Sequence, residues 1–243
     1  MRDANRIDVV SRLDLKERYE RSDLMIPDLL IATEGRIRVF YAPFDYKSPN
    51  ARIALVGITP GWTQMEAAVR TFVSTIAAGG TEPAALDSVK KAAAFSGTLR
   101  TNLVSMLDQI GVPSRLGIET SAELFGAHAD LLHPTSAIRY PVFRDEDNYA
   151  GTSPVLVKSP TLLSFVDTLL LQELNSPANT LVIPLGKAAK TAVSRLVTAG
   201  SVDGTRVLSG FPHPSGAYPR RAEVFEAGRA SLRDAVDRWD YGP

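Results

Sequence analysis

Apolar residues along this chain fall into a few short, distinct patterns. The run Ile53-Ala54-Leu55-Val56-Gly57-Ile58 is apolar throughout and ends at Pro60-Gly61. A strand covered on both faces has no solvated side to carry polar residues, so this run predicts a buried strand of a parallel sheet. Thr180-Leu181-Val182-Ile183-Pro184-Leu185 reads the same way, with Gly186-Lys187 opening a helix behind it. Arg36 to Tyr41 alternates with period two, which suits a strand with one face in water. Val207 to Phe211 predicts a last short strand.

Between these runs the period lengthens to that of a helix. Leu99, Leu103, Met106, Leu107 and Ile110 recur at helical spacing up to Gly111. Thr63 and Glu66 stand at capping-box spacing, predicting a helix that stops near Gly79-Gly80, and Glu82-Pro83 opens another. Thr120 and Glu123 form a second capping box. Ser159-Pro160 begins an apolar helix through Leu170, and Ala222 to Trp239 is a closing amphipathic helix. Residues 1–34 are mixed and charged, and predict helix packed outside the core. Strands alternating with helices define an α/β fold with a mainly parallel sheet covered on both faces. The whole chain, 1–243, reads as a single domain. Residues 1–50 form an N-terminal extension, and about 65–94 a helical insertion.

Composition narrows the chemistry. The 243 residues are 44% apolar and include no cysteine and three histidines. That excludes disulfides, thiolate catalysis and cysteine-held zinc or iron–sulfur sites, and makes a histidine-rich metal site unexpected. No metal or cofactor is expected. No apolar run approaches the ~20 residues that cross a bilayer. The charged start, Met1-Arg2-Asp3, has no apolar run behind it to make a secretory signal, so the cytoplasm is the expected location and no membrane a partner. Lys plus Arg equals Asp plus Glu, for a formal net charge of zero. Proteins that hold nucleic acid by non-specific phosphate neutralisation are usually more basic, so any grip on DNA must be local.

Two loops lie where the carboxyl ends of the predicted strands would open a crevice. One is Gly57-Ile58-Thr59-Pro60-Gly61-Trp62, the other Phe211-Pro212-His213-Pro214-Ser215-Gly216. The first alone is compatible with a plain strand-to-helix turn. The second is less ordinary, because prolines on both sides restrict the backbone around His213. An imidazole held so narrowly suits a hydrogen-bond donor or general acid.

Together these loops resemble the paired motifs of the uracil-DNA glycosylase superfamily: G-x-x-P-G after the first core strand, and H-P-S-x or N-P-S-G after the last. Further similarity lies between them. Phe95-Ser96-Gly97 resembles the family's P-F-x-G turn, and Leu103 to Gly111 its M-L-x-x-I-G helix. Thr135 to Pro141 is similar to the T-N-x-V-K-C-R-P strand, and Leu185-Gly186-Lys187-Ala188-Ala189 to its L-G-K-x-A turn. The match spans about residues 52–220 in the family's order.

The resemblance implies a three-layer αβα sandwich and a monofunctional DNA glycosylase. Such an enzyme flips a base from DNA and hydrolyses its N-glycosidic bond, and it is expected to act as a monomer. By the same resemblance His213 donates to O2 of the flipped pyrimidine and Phe95 stacks on the base. Amides near Ile58 and Thr59 hold the base edge, while Ser215 and Lys187 meet DNA phosphates. The loop residues Tyr218, Arg220 and Arg221 offer an aromatic wedge beside two phosphate contacts. Each residue also has a plainer reading. Phe95 would be core, Ser136 a polar strand end, Glu66 a helix cap, Lys187 a solvated helix start, and His128 and His133 structural.

Three positions depart from the family pattern. Where it places a water-activating carboxylate or amide, this chain has Thr59, or Ile58 in the register of the iron–sulfur branch. A hydroxyl is a poor base at neutral pH, and Gln64 and the acidic loop Asp145-Glu146-Asp147 are the other sources of one. The base-reading asparagine is replaced by Ser136, and the aromatic residue that excludes 5-substituted pyrimidines by Gly61. These changes point to a base larger than uracil, such as a damaged pyrimidine or a glucosylated hydroxymethylcytosine of phage DNA. Plain uracil repair, a lesion binder with little catalysis and a nucleoside hydrolase are the alternatives.

Overall fold

The computed structural model describes residues 4–46, 48–93, 97–175, 179–216 and 218–240. The chain folds into two compact units, each assembled from three separate stretches. Unit 1 comprises residues 1–47, 59–94 and 138–169; unit 2 comprises 48–58, 95–137 and 170–243. The chain is mixed α/β, with its parallel strands confined to unit 2.

Unit 2 contains three parallel strands: β3 (Ile53–Gly57), β4 (Leu132–Ser136) and β7 (Leu181–Pro184), in the order β4-β3-β7. All five residues of β3 pair with β4, from Ile53 opposite Leu132 to Gly57 opposite Ser136. On one face Ile53, Leu55, Leu132, Leu181 and Ile183 join a core with Leu103, Met106 and Leu107 of the helix Gly97–Gln109 and with Ile110 just after it. Phe225, Leu232 and Val236 of the helix Arg221–Arg238 complete it. Ala54, Val56 and Val182, pointing the other way, are equally buried, which is why β3 and β7 read as unbroken apolar runs. Each aliphatic side chain buried this way contributes about 1.5–3 kcal/mol.

The expected strand over Val207 to Phe211 shrinks to a single bridge, Val207 beside Val182. A 3₁₀ turn capped by Asp203 (Gly204–Arg206) delivers the chain to it, and Gly210, at φ +94°, turns the backbone away two residues after Leu208. The bridge still runs parallel to β7 and so extends the sheet by one short line.

Unit 1 carries a separate antiparallel sheet, in the order β1-β2-β5-β6: β1 (Leu30–Glu34), β2 (Ile37–Phe40), β5 (Val142–Arg144) and β6 (Asp147–Asn148). Only β2 was legible as a strand. The expectation of helix throughout residues 1–34 holds for Ala4–Ser11 and Arg21–Leu24, but Leu30–Glu34 is a strand. The hairpin turn at Gly35, at φ +56°, returns the chain onto β2 and supplies β1 with its partner. Phe40 and Phe143 meet edge to face across the sheet, their centroids 6.1 Å apart.

The segment read as a helical insertion holds two helices, Trp62–Ala77 and Glu82–Ala93, both in unit 1. Its start differs from the capping box expected at Thr63 and Glu66. The helix begins at Trp62, and Gln64 Oε1 accepts the Gly61 N–H at 3.0 Å. Glu66 lies buried inside the first turns and pairs with Arg70 at 2.9 Å. Two residues of shift turn the presumed cap into a buried carboxylate. The other capping box is present: Thr120 accepts from Ala122 N–H, and Glu123 from the amides of Glu119 and Thr120. No helix among the described residues is long and apolar enough to cross a membrane.

Candidate functional site

The order β4-β3-β7 places the first core strand in the middle. From β3 the chain passes to one side to make β4, then to the other side for β7 and the Val207 bridge. In a parallel sheet the connections leaving the central strand then diverge, and the crevice beyond its carboxyl end is where ligands bind. The segments that emerge at this end of unit 2 are Gly57-Ile58 after β3, Ser136 closing β4, Leu185-Gly186 after β7 and the loop from Phe211 to Ser215.

Gly57 and Ser136 are register partners, and a Cβ on Gly57 would come within 3.3 Å of Ser136 Oγ. The missing side chain is what lets the serine hydroxyl stand at the end of the two strands. Ile58, next in the chain, is half-buried.

His213 is also half-buried. Its ring packs on Gly186, which has φ +88°, and a Cβ there would lie 3.0 Å from the ring Cδ2. The Ser215 N–H donates to His213 Nδ1 at 3.1 Å. A backbone amide can only donate, so Nδ1 is the lone-pair nitrogen and the ring hydrogen sits on Nε2. Burial pushes the imidazole below its ordinary value, because a charged ring would lose hydration. The result is a neutral ring with an Nε2–H donor. Asn102 Nδ2 donates to the Pro214 carbonyl at 2.9 Å, and one Arg221 nitrogen donates to the Ser215 carbonyl at 2.9 Å.

Other residues singled out by sequence sit apart from this cluster or have different duties. Lys187 is exposed at the first position of the helix Lys187–Thr198. Tyr218 is exposed, and Arg220 pairs with Glu223 at 2.8 Å, so its charge is locally matched. Phe95 lies outside the described residues. His133 is buried on β4 with Nδ1 3.2 Å from Ser48 Oγ and Nε2 3.5 Å from Glu173 Oε2, a carboxylate that Thr135 also bonds. His128 lies 3.4 Å from Glu123 at the surface. Among the described residues no group of three or more histidines and carboxylates is placed to hold a metal ion.

Thr59 and Gly61 belong to unit 1. The Thr59 hydroxyl donates to Tyr140 O at 2.8 Å and accepts from Val142 N–H at 3.1 Å. Its single hydrogen is therefore directed at a carbonyl, and the side chain bolts the turn to β5. Gly61 has an ordinary extended backbone, φ −90° and ψ −177°. The room expected beside it is filled by Asn148, whose Nδ2 lies 3.1 Å from where a Cβ would be and whose Oδ1 accepts the Trp62 N–H at 2.8 Å. Of the other candidate sources of a base, Gln64 is engaged at the helix start and Asp145, at φ +56°, in an ion pair with Arg36, while Glu146 and Asp147 are exposed.

Asn102 and Gly186 were not assigned a role at the sequence level. The signal for Asn102 was present, since it stands on the helical stripe of Leu99, Leu103 and Met106 as the one polar residue among them. Gly186 was read only as a turn; the closeness of the ring is visible only in three dimensions.

The parallel unit and the polar residues beyond its strand ends define an α/β protein with a histidine donor at a topological switch point. The chain belongs to the same family as YoxB of Bacillus subtilis (strain 168), named an uncharacterized protein, with which it is 38% identical over 243 residues covering 94% of each chain. No family model matches the chain, and no solved structure does.

Proposed function

We propose that this protein is a monofunctional DNA glycosylase of the uracil-DNA glycosylase superfamily, with a three-layer αβα fold. It acts as a cytoplasmic monomer, flipping a pyrimidine and hydrolysing its N-glycosidic bond. One observation carries the reading: His213 is a neutral, preorganised Nε2–H donor at the carboxyl end of the parallel sheet, in the motif that resembles the family's second. As the C1′–N1 bond breaks, its electron pair moves onto the base and charge gathers on O2. His213 Nε2–H donates to that oxygen, water adds to C1′, and the proton that the water gives up ends on the departing base anion, leaving a neutral free base and an abasic site. A neutral donor suits this step, because it stabilises the anion by a hydrogen bond without first having to bind a proton. One such donor lowers the barrier by about 2.7–4 kcal/mol. Lys187 and Tyr218, both exposed, supply a phosphate contact and a wedge that fills the gap in the stack.

The substrate is a modified or damaged pyrimidine. Ser136, in place of the family's asparagine, reads the base edge with a hydroxyl that both donates and accepts. The position of Gly61 is not an empty space: Asn148, an exposed side chain on a two-residue strand, lies beside it. Duplexes bearing uracil, thymine, 5-hydroxymethyluracil, 5-hydroxymethylcytosine or its glucosylated form, cleaved with alkali after incubation, test the reading. His213→Ala should slow single-turnover excision by roughly 10²–10³-fold with its fold intact. Near wild-type excision by that variant would overturn the assignment.

A second reading rests on Thr59. With its hydrogen committed to Tyr140 O, the usual water-activating position is unfilled, as in a protein that binds a lesion without cutting. Tight binding to one of these duplexes with no alkali-labile product would favour it.

A further inference from the structure

We infer that Asn102, Gly186 and Arg221 form a seat that positions His213, so that Arg221 acts through the catalytic loop and not on DNA phosphate. The inference rests on the glycosylase reading for what the loop is positioned to do. The loop Pro212-His213-Pro214-Ser215 lacks two N–H groups because of its prolines, so few backbone groups remain to anchor it. Three of its polar contacts come to hand. The Pro214 carbonyl takes Asn102 Nδ2 from the helix Gly97–Gln109, the Ser215 carbonyl takes Arg221 from the helix Arg221–Arg238, and the Ser215 N–H is given to His213 Nδ1. The fourth wall is Gly186, against which the ring lies so closely that a Cβ would stand 3.0 Å from Cδ2.

These contacts act in series. Asn102 holds the carbonyl of the Pro214–Ser215 peptide unit and Arg221 that of the next one, and the N–H of the first unit is the group that fixes the imidazole tautomer. If the peptide unit swings, Nδ1 loses its donor and the ring is free to carry its hydrogen on either nitrogen. Only the Nε2–H form keeps a donor on the nitrogen that Ser215 does not engage. An arginine held to a loop carbonyl and one held to a phosphate make opposite predictions. A phosphate ligand sets the salt dependence of binding; a positioning residue sets rate and tautomer while leaving binding alone.

The test uses the full-length protein labelled with ¹⁵N-histidine, in which His213→Ala identifies one signal among three histidines. Wild type should show the Nε2–H tautomer for His213. Asn102→Ala and Arg221→Ala should each populate the other tautomer. They should also slow single-turnover excision of the preferred base roughly 10–100-fold, with duplex affinity and its salt slope unchanged. Arg221→Lys, which keeps the charge a phosphate would need, should stay slow. Gly186→Ala strains the backbone as well as the ring, so the other variants carry the decision. An unchanged tautomer in both alanine variants would overturn the seat. So would an Arg221→Ala protein with normal rate and a shallower salt slope, which would return the residue to the phosphates. A wild type that excises none of the five bases would end the glycosylase reading alone, with the tautomer shift still deciding whether the seat exists.

Discussion

At the scale of single residues, His213 and Thr59 show how one hydrogen bond separates two polar side chains that look alike in a motif. The imidazole accepts a backbone N–H at Nδ1 and so carries its hydrogen on the other nitrogen as a donor. The threonine donates its only hydrogen inward, to Tyr140 O. A pH effect follows from the burial of His213, which lowers its proton affinity in the folded protein. In the unfolded chain the ring titrates near ~6.5, so below that pH the unfolded state binds the proton first. Its contribution to stability is therefore complete above ~6.5 and declines as pH falls from there toward the folded value. The neutral donor also survives to lower pH than an exposed histidine would. Single-turnover excision should stay level as pH drops from 7.5 through 6.5 and fall only below that. A midpoint at or above the ordinary histidine value would show that the ring is not desolvated.

Elements are held at their ends by residues far away in sequence, and Asn148 is the clearest case. The helix Trp62–Ala77 has no acidic residue in its first turn, and its N-cap is a glycine without a side chain. Asn148, from the two-residue strand β6, reaches across to accept the Trp62 N–H. Asn148→Ala should cost about 1 kcal/mol, as loss of an N-cap does. Asn148→Asp keeps the acceptor and adds a negative charge at the positive end of the helix, so it should be neutral or stabilising. Denaturant midpoints of the two variants decide the matter: equal losses would mean the side chain does not cap. Gly61→Ala adds a Cβ against the same amide with no backbone strain, since Gly61 is not at positive φ.

In the whole molecule, the interleaving of the two units has a consequence for fragments. The chain alternates between the units, so neither is a contiguous piece. The N-terminal extension supplies β1 and β2 to the sheet of unit 1. Deleting residues 1–47 leaves β5 and β6 as a lone short hairpin, which is marginal in water. The truncated protein should be cut rapidly by protease between residues 138 and 169, where the full-length chain resists. Equal resistance in both would show that the extension is dispensable to that sheet.

Much of unit 2 was legible because burial on both faces writes itself into composition. β3, β7 and the helices at 97–109 and 221–238 carry their apolar patterns in contiguous residues. The loop holding His213 was legible too, since its prolines and glycine mark it without reference to the rest of the chain. The antiparallel strands of unit 1 were mostly hidden: β5 and β6 have three and two residues, too few for any period to show, and β1 is a strand because β2 pairs with it. The fate of each polar hydrogen was equally out of reach. Local patterning reports which residues avoid water, and that is enough to place strands, helices and turns. Which nitrogen of His213 carries the proton, what fills the space at Gly61 and where Arg221 points depend on partners 27 to 87 positions away, or on a loop folded back on itself. Only the tertiary structure brings those partners within the 3 Å over which a hydrogen bond acts.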